Sequence, residues 1–167
     1  KKFSSGAKFE TGASLSHAIS SGGAEIYAYE PQQASNSIYD YKEANAAIYS
    51  QLVGKIKKID WTAGLRLETT NVNGNYDEDG SSNRVDKSST NLFPRVSVTY
   101  AIDSAMSVGI RYSKTINRPS YSNANQTVVY INPYFEWANN INLNPSLFQE
   151  IVATFQYRRY KLEASVY

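Results

Sequence analysis

The amino-acid sequence predicts an all-β fold, an antiparallel up-and-down wall of about seven strands, on two observations. Polarity alternates residue by residue along short runs, and long and short connections alternate between those runs. The clearest unit spans 91–119. There Val96, Val98 and Tyr100 alternate with Arg95, Ser97 and Thr99. A polar break covers 102–105, and then Met106, Val108, Ile110 and Tyr112 alternate with Ser107, Gly109, Arg111 and Ser113. Successive strand side chains point to opposite faces, so this spelling gives a hairpin with one apolar and one polar face.

Composition says what the apolar face touches. The chain is 41% hydrophobic, but 14 of its 167 residues are Tyr and large aliphatic residues are sparse; mean hydropathy is −0.48. A transmembrane β-barrel gives only alternate residues to lipid, so its average looks water-soluble while its outer face is not. No run approaches the roughly 20 apolar residues of a membrane helix. A net charge of +2 spread along strands and turns argues against a nucleic-acid partner. The absence of cysteine removes disulfides, thiolate catalysis and Cys–zinc sites together. The start at Lys1-Lys2-Phe3 lacks a signal-peptide pattern, so the expectation is a processed or excised piece.

In chain order, a first strand is expected over 6–16, with Phe9, Ala13 and Leu15 opposite Lys8, Glu10, Ser14 and Ser16. The stretch 18–39 reads as a long loop holding at most a short strand at 26–29. In the strand 41–53, Ala44, Ala46, Ile48 and Leu52 form the more apolar set, yet Ala47 and Tyr49 are also acceptable to lipid, so its facing stays open. After a charged turn at 54–60, Trp61, Ala63, Leu65 and Leu67 alternate with Thr62, Gly64, Arg66 and Glu68. The region 71–90 reads as a second long loop and 117–149 as a third. A further strand places Ile151, Ala153, Phe155 and Tyr157 on one side. A turn at 158–160 then leads to a last strand with Leu162, Ala164 and Val166.

Long connections at 18–40, 71–90 and 117–149 thus alternate with short ones at 54–60, 102–105 and 158–160. Outer-membrane barrels join their strands in this way, with short periplasmic turns and long extracellular loops. The aromatics agree: Trp61, Tyr100, Tyr157 and Tyr160 flank the short turns, and Tyr41 and Tyr112 lie near the long loops, as interfacial girdles require. Val96, Val98, Ile110, Leu65 and Leu67 are therefore expected to face lipid, and Arg66, Glu68, Arg95 and Arg111 the lumen. The alternative is a soluble β-sandwich that serves adhesion or binding without transport.

Six motifs, in order, carry a resemblance. They are Tyr-x-Glu-x-Asn-x-Ala-x-Tyr at 41–49, Gly-Leu-Arg-x-Glu at 64–68, Leu-Phe-Pro followed by Tyr100, Tyr-Ser-Lys-x-Ile-x-Arg-Pro at 112–119, Asn-Pro-Tyr at 132–134, and Asn-Pro-x-Leu-x-x-Glu at 144–150. Together they resemble the C-terminal barrel of Bacteroidetes-type TonB-dependent outer-membrane receptors. Leu143 stands where that pattern has glycine, and Gln149 where it has a second proline. The resemblance implies a barrel of about 22 strands around a plug, with 1–167 as part of that one domain. It implies a Gram-negative outer membrane and import of a nutrient. Its partners would be outer-membrane lipid, the rest of the barrel, TonB acting through a plug outside this sequence, and a surface lipoprotein.

Other constellations are weaker. Asn75, Asp77, Asp79 and Asp86 are spaced like calcium-loop ligands around Gly80, but no Glu closes the set and no helices flank it, so an acidic surface loop and no metal is the expectation. His17, the single histidine, reads as a solvated residue at a strand end. No nucleophile motif, acid–base pair or phosphate loop suggests an enzyme, and no cofactor is expected. Tyr130, Tyr134, Phe135 and Trp137, with Asn132, Asn139 and Asn140 among them and Tyr121 nearby, are the candidate ligand-binding residues. Large rings give contact area and amides fix orientation, the alternative being that these rings fold the loop onto itself or onto the barrel rim as its own small core.

Overall fold

Alternation closes into one antiparallel sheet of seven strands in the order β1-β2-β3-β4-β5-β8-β9, with β6 and β7 forming a separate two-stranded hairpin. The computed structural model describes residues 6–26, 35–119, 128–132, 134–138 and 143–167. The strands are β1 (Lys8–Ile26), β2 (Ser35–Ile56), β3 (Ile59–Glu78), β4 (Ser81–Ala101), β5 (Met106–Asn117), β6 (Val128–Asn132), β7 (Phe135–Ala138), β8 (Ser146–Tyr157) and β9 (Tyr160–Val166). Among the described residues the other sheet is the two-stranded β6–β7 hairpin, which is too small to be the facing layer of a sandwich.

Register assigns the two faces. Residues directly opposite in a ladder share a face, so a row runs through Ala13, Ile48, Leu67 and Leu92. A parallel row runs through Leu52, Ala63, Val96, Tyr112 and Ile151, and a third through Trp61, Val98, Ile110, Ala153 and Ala164. These side chains are open to their surroundings: Ile110 is 56% exposed and Ile48 61%. The buried residues Ala47, Glu68, Thr70, Tyr76, Val85, Phe93 and Val152 all sit on the opposite face. An apolar face without a protein partner among the described residues, backed by a better buried polar face, is the barrel-wall arrangement. The strand 41–53 thereby gains its facing: Ile48 and Leu52 lie with Leu65 and Leu67, whereas Ala47 and Tyr49 lie with Arg66 and Glu68.

β3 and β4 run far beyond the 9–11 residues that cross a bilayer. After Leu67 and Leu92 the same face turns polar, through Thr69, Asn71, Asn73 and Asn75 on β3 and Thr90, Ser88, Asp86 and Arg84 on β4. The opposite face turns apolar at that level, where Tyr76 and Val85 are buried and Tyr39 packs on them. The medium outside changes from hydrocarbon to water, so the rings move to the sheltered side.

This extension corrects the long loop expected over 71–90. Asp79 and Gly80 make a two-residue turn with positive φ of 50° and 82°, the geometry for which Asp-Gly is the preferred sequence. The 18–39 loop is likewise replaced by strand to Ile26 and from Ser35; residues 27–29 of the short strand considered there lie outside the described residues. His17 is not at a strand end but within β1, exposed and registered with Ala44. Tyr41 sits opposite Gly74 on the polar face rather than in the outer girdle. Trp61, Tyr100, Tyr157 and Tyr160 do lie on the apolar face beside the short turns. Gly54 lets Trp61 approach, since a Cβ there would meet the indole at 2.6 Å.

Burial, reinforced by the Glu78 carboxylate, raises the Tyr76 phenol above its ordinary pKa of 10.0. A raised folded-state value contributes stability that is full below the unfolded pKa and is lost as pH rises through the folded one. Phenolate absorbance should therefore show one late-titrating tyrosine that disappears in Tyr76→Phe, and alkaline unfolding of that variant should be less steep above about pH 10. An unchanged titration in the variant would refute the assignment.

Candidate functional site

Three sequence motifs more than twenty residues apart meet on the polar face. Glu43 and Asn45 come from β2, Arg66, Glu68 and Thr70 from β3, and Arg118 from the end of β5. Pro94 helps to make this possible. Proline has no N–H to donate to a ladder, and the β4–β5 pairing stops at Arg95, its neighbour. β5 continues to Asn117 paired only with β8, and Arg118 reaches back over the polar face.

Glu68 is the centre, only 5% exposed. Arg66 donates to it through Nε at 2.8 Å, Asn45 Nδ2 donates to Oε1 at 2.8 Å, and Arg118 Nη2 pairs with Oε1. Thr70 Oγ1 accepts from Asn45 at 3.2 Å and Arg118 at 3.3 Å. Glu43 lies 3.9 Å from Arg118 Nε and accepts the Tyr41 hydroxyl proton at 3.0 Å. Arg66 also donates to Ser14 on β1 at 3.2 Å, reaching past β2. Two carboxylates balance two guanidiniums, so the cluster holds strands together and presents little net charge. A cavity of about 440 Å³ opens above it, lined by Tyr41, Glu43, Val85, Ile116, Arg118 and Leu143.

Lower on the same face lie the other expected residues. Arg111 is 3.6 Å from Glu150 of β8. Arg95, opposite Gly64 and Ser113, has no ion pair among the described residues. Both border a second hollow of about 400 Å³ floored by Tyr49 and Phe93. Arg66, Glu68, Arg95 and Arg111 thus share one face, but only the first two belong to the central cluster. Glu43, Asn45 and Arg118 were not among the expected site residues, although each stands in a motif that carries the resemblance. Their meeting follows from strand register, which no local spacing reports.

The aromatic candidates fall on the β6–β7 hairpin, where Val129 is registered with Trp137, Tyr130 with Glu136 and Asn132 with Phe135. Tyr134, in the turn, is 98% exposed and Phe135 53%. Tyr121, Pro133, Asn139 and Asn140 lie outside the described residues. The run around Gly80 is a tight turn between two strands and not the acidic surface loop expected. Asp77 Oδ1 accepts the Gly80 N–H at 3.1 Å, Asp79 Oδ1 accepts the Asn36 N–H at 2.9 Å, and Asn75 and Asp86 are strand residues. No cluster of three or more His, Cys, Asp or Glu residues suited to a metal occurs among the described residues.

Comparison with known proteins agrees with this architecture. The ferric yersiniabactin uptake receptor FyuA from Yersinia pestis superposes with a TM-score of 0.59 at 15% identity, over 94% of this chain and 24% of that one. The chain therefore spans about a quarter of that receptor's length, and at this identity the likeness is one of fold. No curated protein matches the sequence. The model of the outer membrane protein beta-barrel family matches residues 1–167. With an apolar face unpartnered by protein among the described residues and a polar face that carries ion pairs, the chain is a stretch of barrel wall in the outer membrane, and it belongs to the outer membrane protein beta-barrel family.

Proposed function

We propose that this chain is part of one barrel domain of a TonB-dependent receptor of the Bacteroidetes type, which binds a nutrient at its outer surface and admits it through the lumen. The observation that carries this reading is the two-faced sheet whose strands outrun the bilayer at the end opposite the short turns. Strands that rise above the bilayer give the outer surface a wall around a vestibule in which a ligand can be held. In this reading Arg66, Glu68, Arg95 and Arg111 face the lumen, the edges of β1 and β9 pair with the rest of the barrel, and TonB acts through a plug. A surface lipoprotein would cover the vestibule. Tyr130, Tyr134, Phe135 and Trp137 meet the ligand from the β6–β7 hairpin. Binding and passage require no bond making, in keeping with a non-enzymatic wall.

The test is genetic. A strain lacking the gene, grown on iron chelates, glycans and peptides in turn, should fail on at least one, and removal of TonB should produce the same failure. Growth like the parent on every source would sink the proposal. In the complemented strain, Trp137→Ala should abolish growth on that nutrient while the barrel keeps its heat resistance in detergent. Joint loss of growth and heat resistance would make the hairpin rings structural, and unchanged growth would remove them from the site.

A further inference from the structure

The short turns at one end of the sheet form a continuous rim. The Ala101 N–H donates to the Lys58 carbonyl at 2.8 Å and the Arg158 N–H to the Ala105 carbonyl at 2.7 Å; Lys58 Nζ donates to the Ile102 carbonyl at 2.7 Å. The turns β2–β3, β4–β5 and β8–β9 are thus tied to one another. Both residues of each two-residue turn are cations, Lys57-Lys58 and Arg158-Arg159.

That choice works against the backbone. Lys57 and Arg158 adopt positive φ of 54° and 50°, a conformation that strains a residue with a Cβ. At the other end of the sheet the same kind of turn uses Asp79-Gly80. The carboxylates near the rim are engaged elsewhere. Asp103 Oδ1 accepts the N–H groups of Ala105 and Met106 at 2.7 and 2.9 Å, Asp60 pairs with Lys55, and Glu163 with Lys161. Lys57, Arg158 and Arg159 have no carboxylate partner among the described residues. Two guanidiniums lie instead over rings of the apolar face, Arg158 at 5.5 Å from the Tyr157 centroid and Arg159 at 5.3 Å from that of Tyr160.

We propose that this rim is a docking site for anionic phospholipid headgroups. The rings Trp61, Tyr100, Tyr157 and Tyr160 fix the level of the hydrocarbon boundary, and the cations stand just beyond it, where lipid phosphates lie. Guanidiniums held over rings offer planar donors to a phosphate, and the hydrogen-bonded rim fixes the turns that carry the four charges, which lowers the entropy lost on binding. Phosphatidylglycerol fits because its net charge remains negative, whereas the choline of phosphatidylcholine cancels its own phosphate.

The probe is phosphatidylglycerol, with phosphatidylcholine as control, titrated into the full-length protein in an uncharged detergent at low ionic strength and counted by native mass spectrometry. The wild type should retain phosphatidylglycerol preferentially. Arg158→Gln with Arg159→Gln should weaken that retention about 30-fold, near fivefold for each charge removed at a membrane surface, leave phosphatidylcholine unchanged and keep heat-resistant migration on gels. Arg158→Lys with Arg159→Lys should restore most of it. Should the glutamine pair fail to fold, Lys57→Gln with Lys58→Gln gives the same reading from the other turn. Equal retention of the two lipids by the wild type, or undiminished phosphatidylglycerol retention in a folded glutamine variant, would overturn the proposal.

Discussion

Val96→Arg should block assembly of the full-length barrel, whereas Ser97→Arg, one residue along, should be tolerated. Val96 is midway along the apolar run of β4, between Ala63 on β3 and Tyr112 on β5, and is 45% exposed with no protein covering it. An arginine at that depth on a lipid-facing strand costs about 2–4 kcal/mol, and near the interface only 0–1. Ser97 points to the other face, between Thr62 and Arg111. A cation there meets the polar lining, with some repulsion from Arg111. The measurement is the fraction of protein that acquires heat-resistant migration after folding into vesicles. Equal impairment by the two substitutions would mean that the apolar face meets protein rather than lipid.

The second large effect is expected at Glu68. Removing one partner from a buried ion-paired cluster leaves the other charges uncompensated, at a typical cost of about 3–5 kcal/mol. Arg66 and Arg118 keep 36% and 28% of their side chains exposed, so water recovers part of this and the lower end applies. Glu68→Ala should therefore lower the unfolding free energy in detergent by about 3 kcal/mol. Arg118→Ala in the same background should add less than it does alone, because the pair acts as a unit. Strictly additive losses would dissolve the cluster into independent contacts.

The membrane band was legible in the sequence because lipid on one side and a polar lining on the other force a period of two. Trp61 to Leu67 and Val96 to Tyr100 therefore identify strand, face and register sense together. Above the band that contrast vanishes: Asn71, Asn73 and Asn75 meet water outside while Thr70, Val72 and Gly74 line the inside, and polar composition reads as loop although the ladder runs on. One local signal did survive, Asp79-Gly80, the dipeptide that favours a tight hairpin turn. The strand 41–53 resisted facing for another reason. Alanine is small enough for either side, so Ala44, Ala46 and Ala47 carry little information until Ile48 is set opposite Leu67. The cluster around Glu68 was hidden by sequence distance, with Arg118 fifty residues from its partner, and only the stop in the β4–β5 ladder after Pro94 brings them together.

The exchange of apolar and polar sides partway up β3 and β4 also sets how deep the wall floats. Lowering the strands by two residues, about 6–7 Å of strand, would push Thr69 and Thr90 into hydrocarbon and carry Trp61 and Tyr100 out of the boundary they anchor. Raising them by the same step would bring Leu67 and Leu92 into water. Neighbouring strands of one hydrogen-bonded sheet cannot shift singly, so these penalties act together as a stiff restoring force along the membrane normal. A bilayer of the wrong thickness must then stretch or thin around the wall, because lipid deforms for fractions of a kcal/mol per Å and the sheet does not.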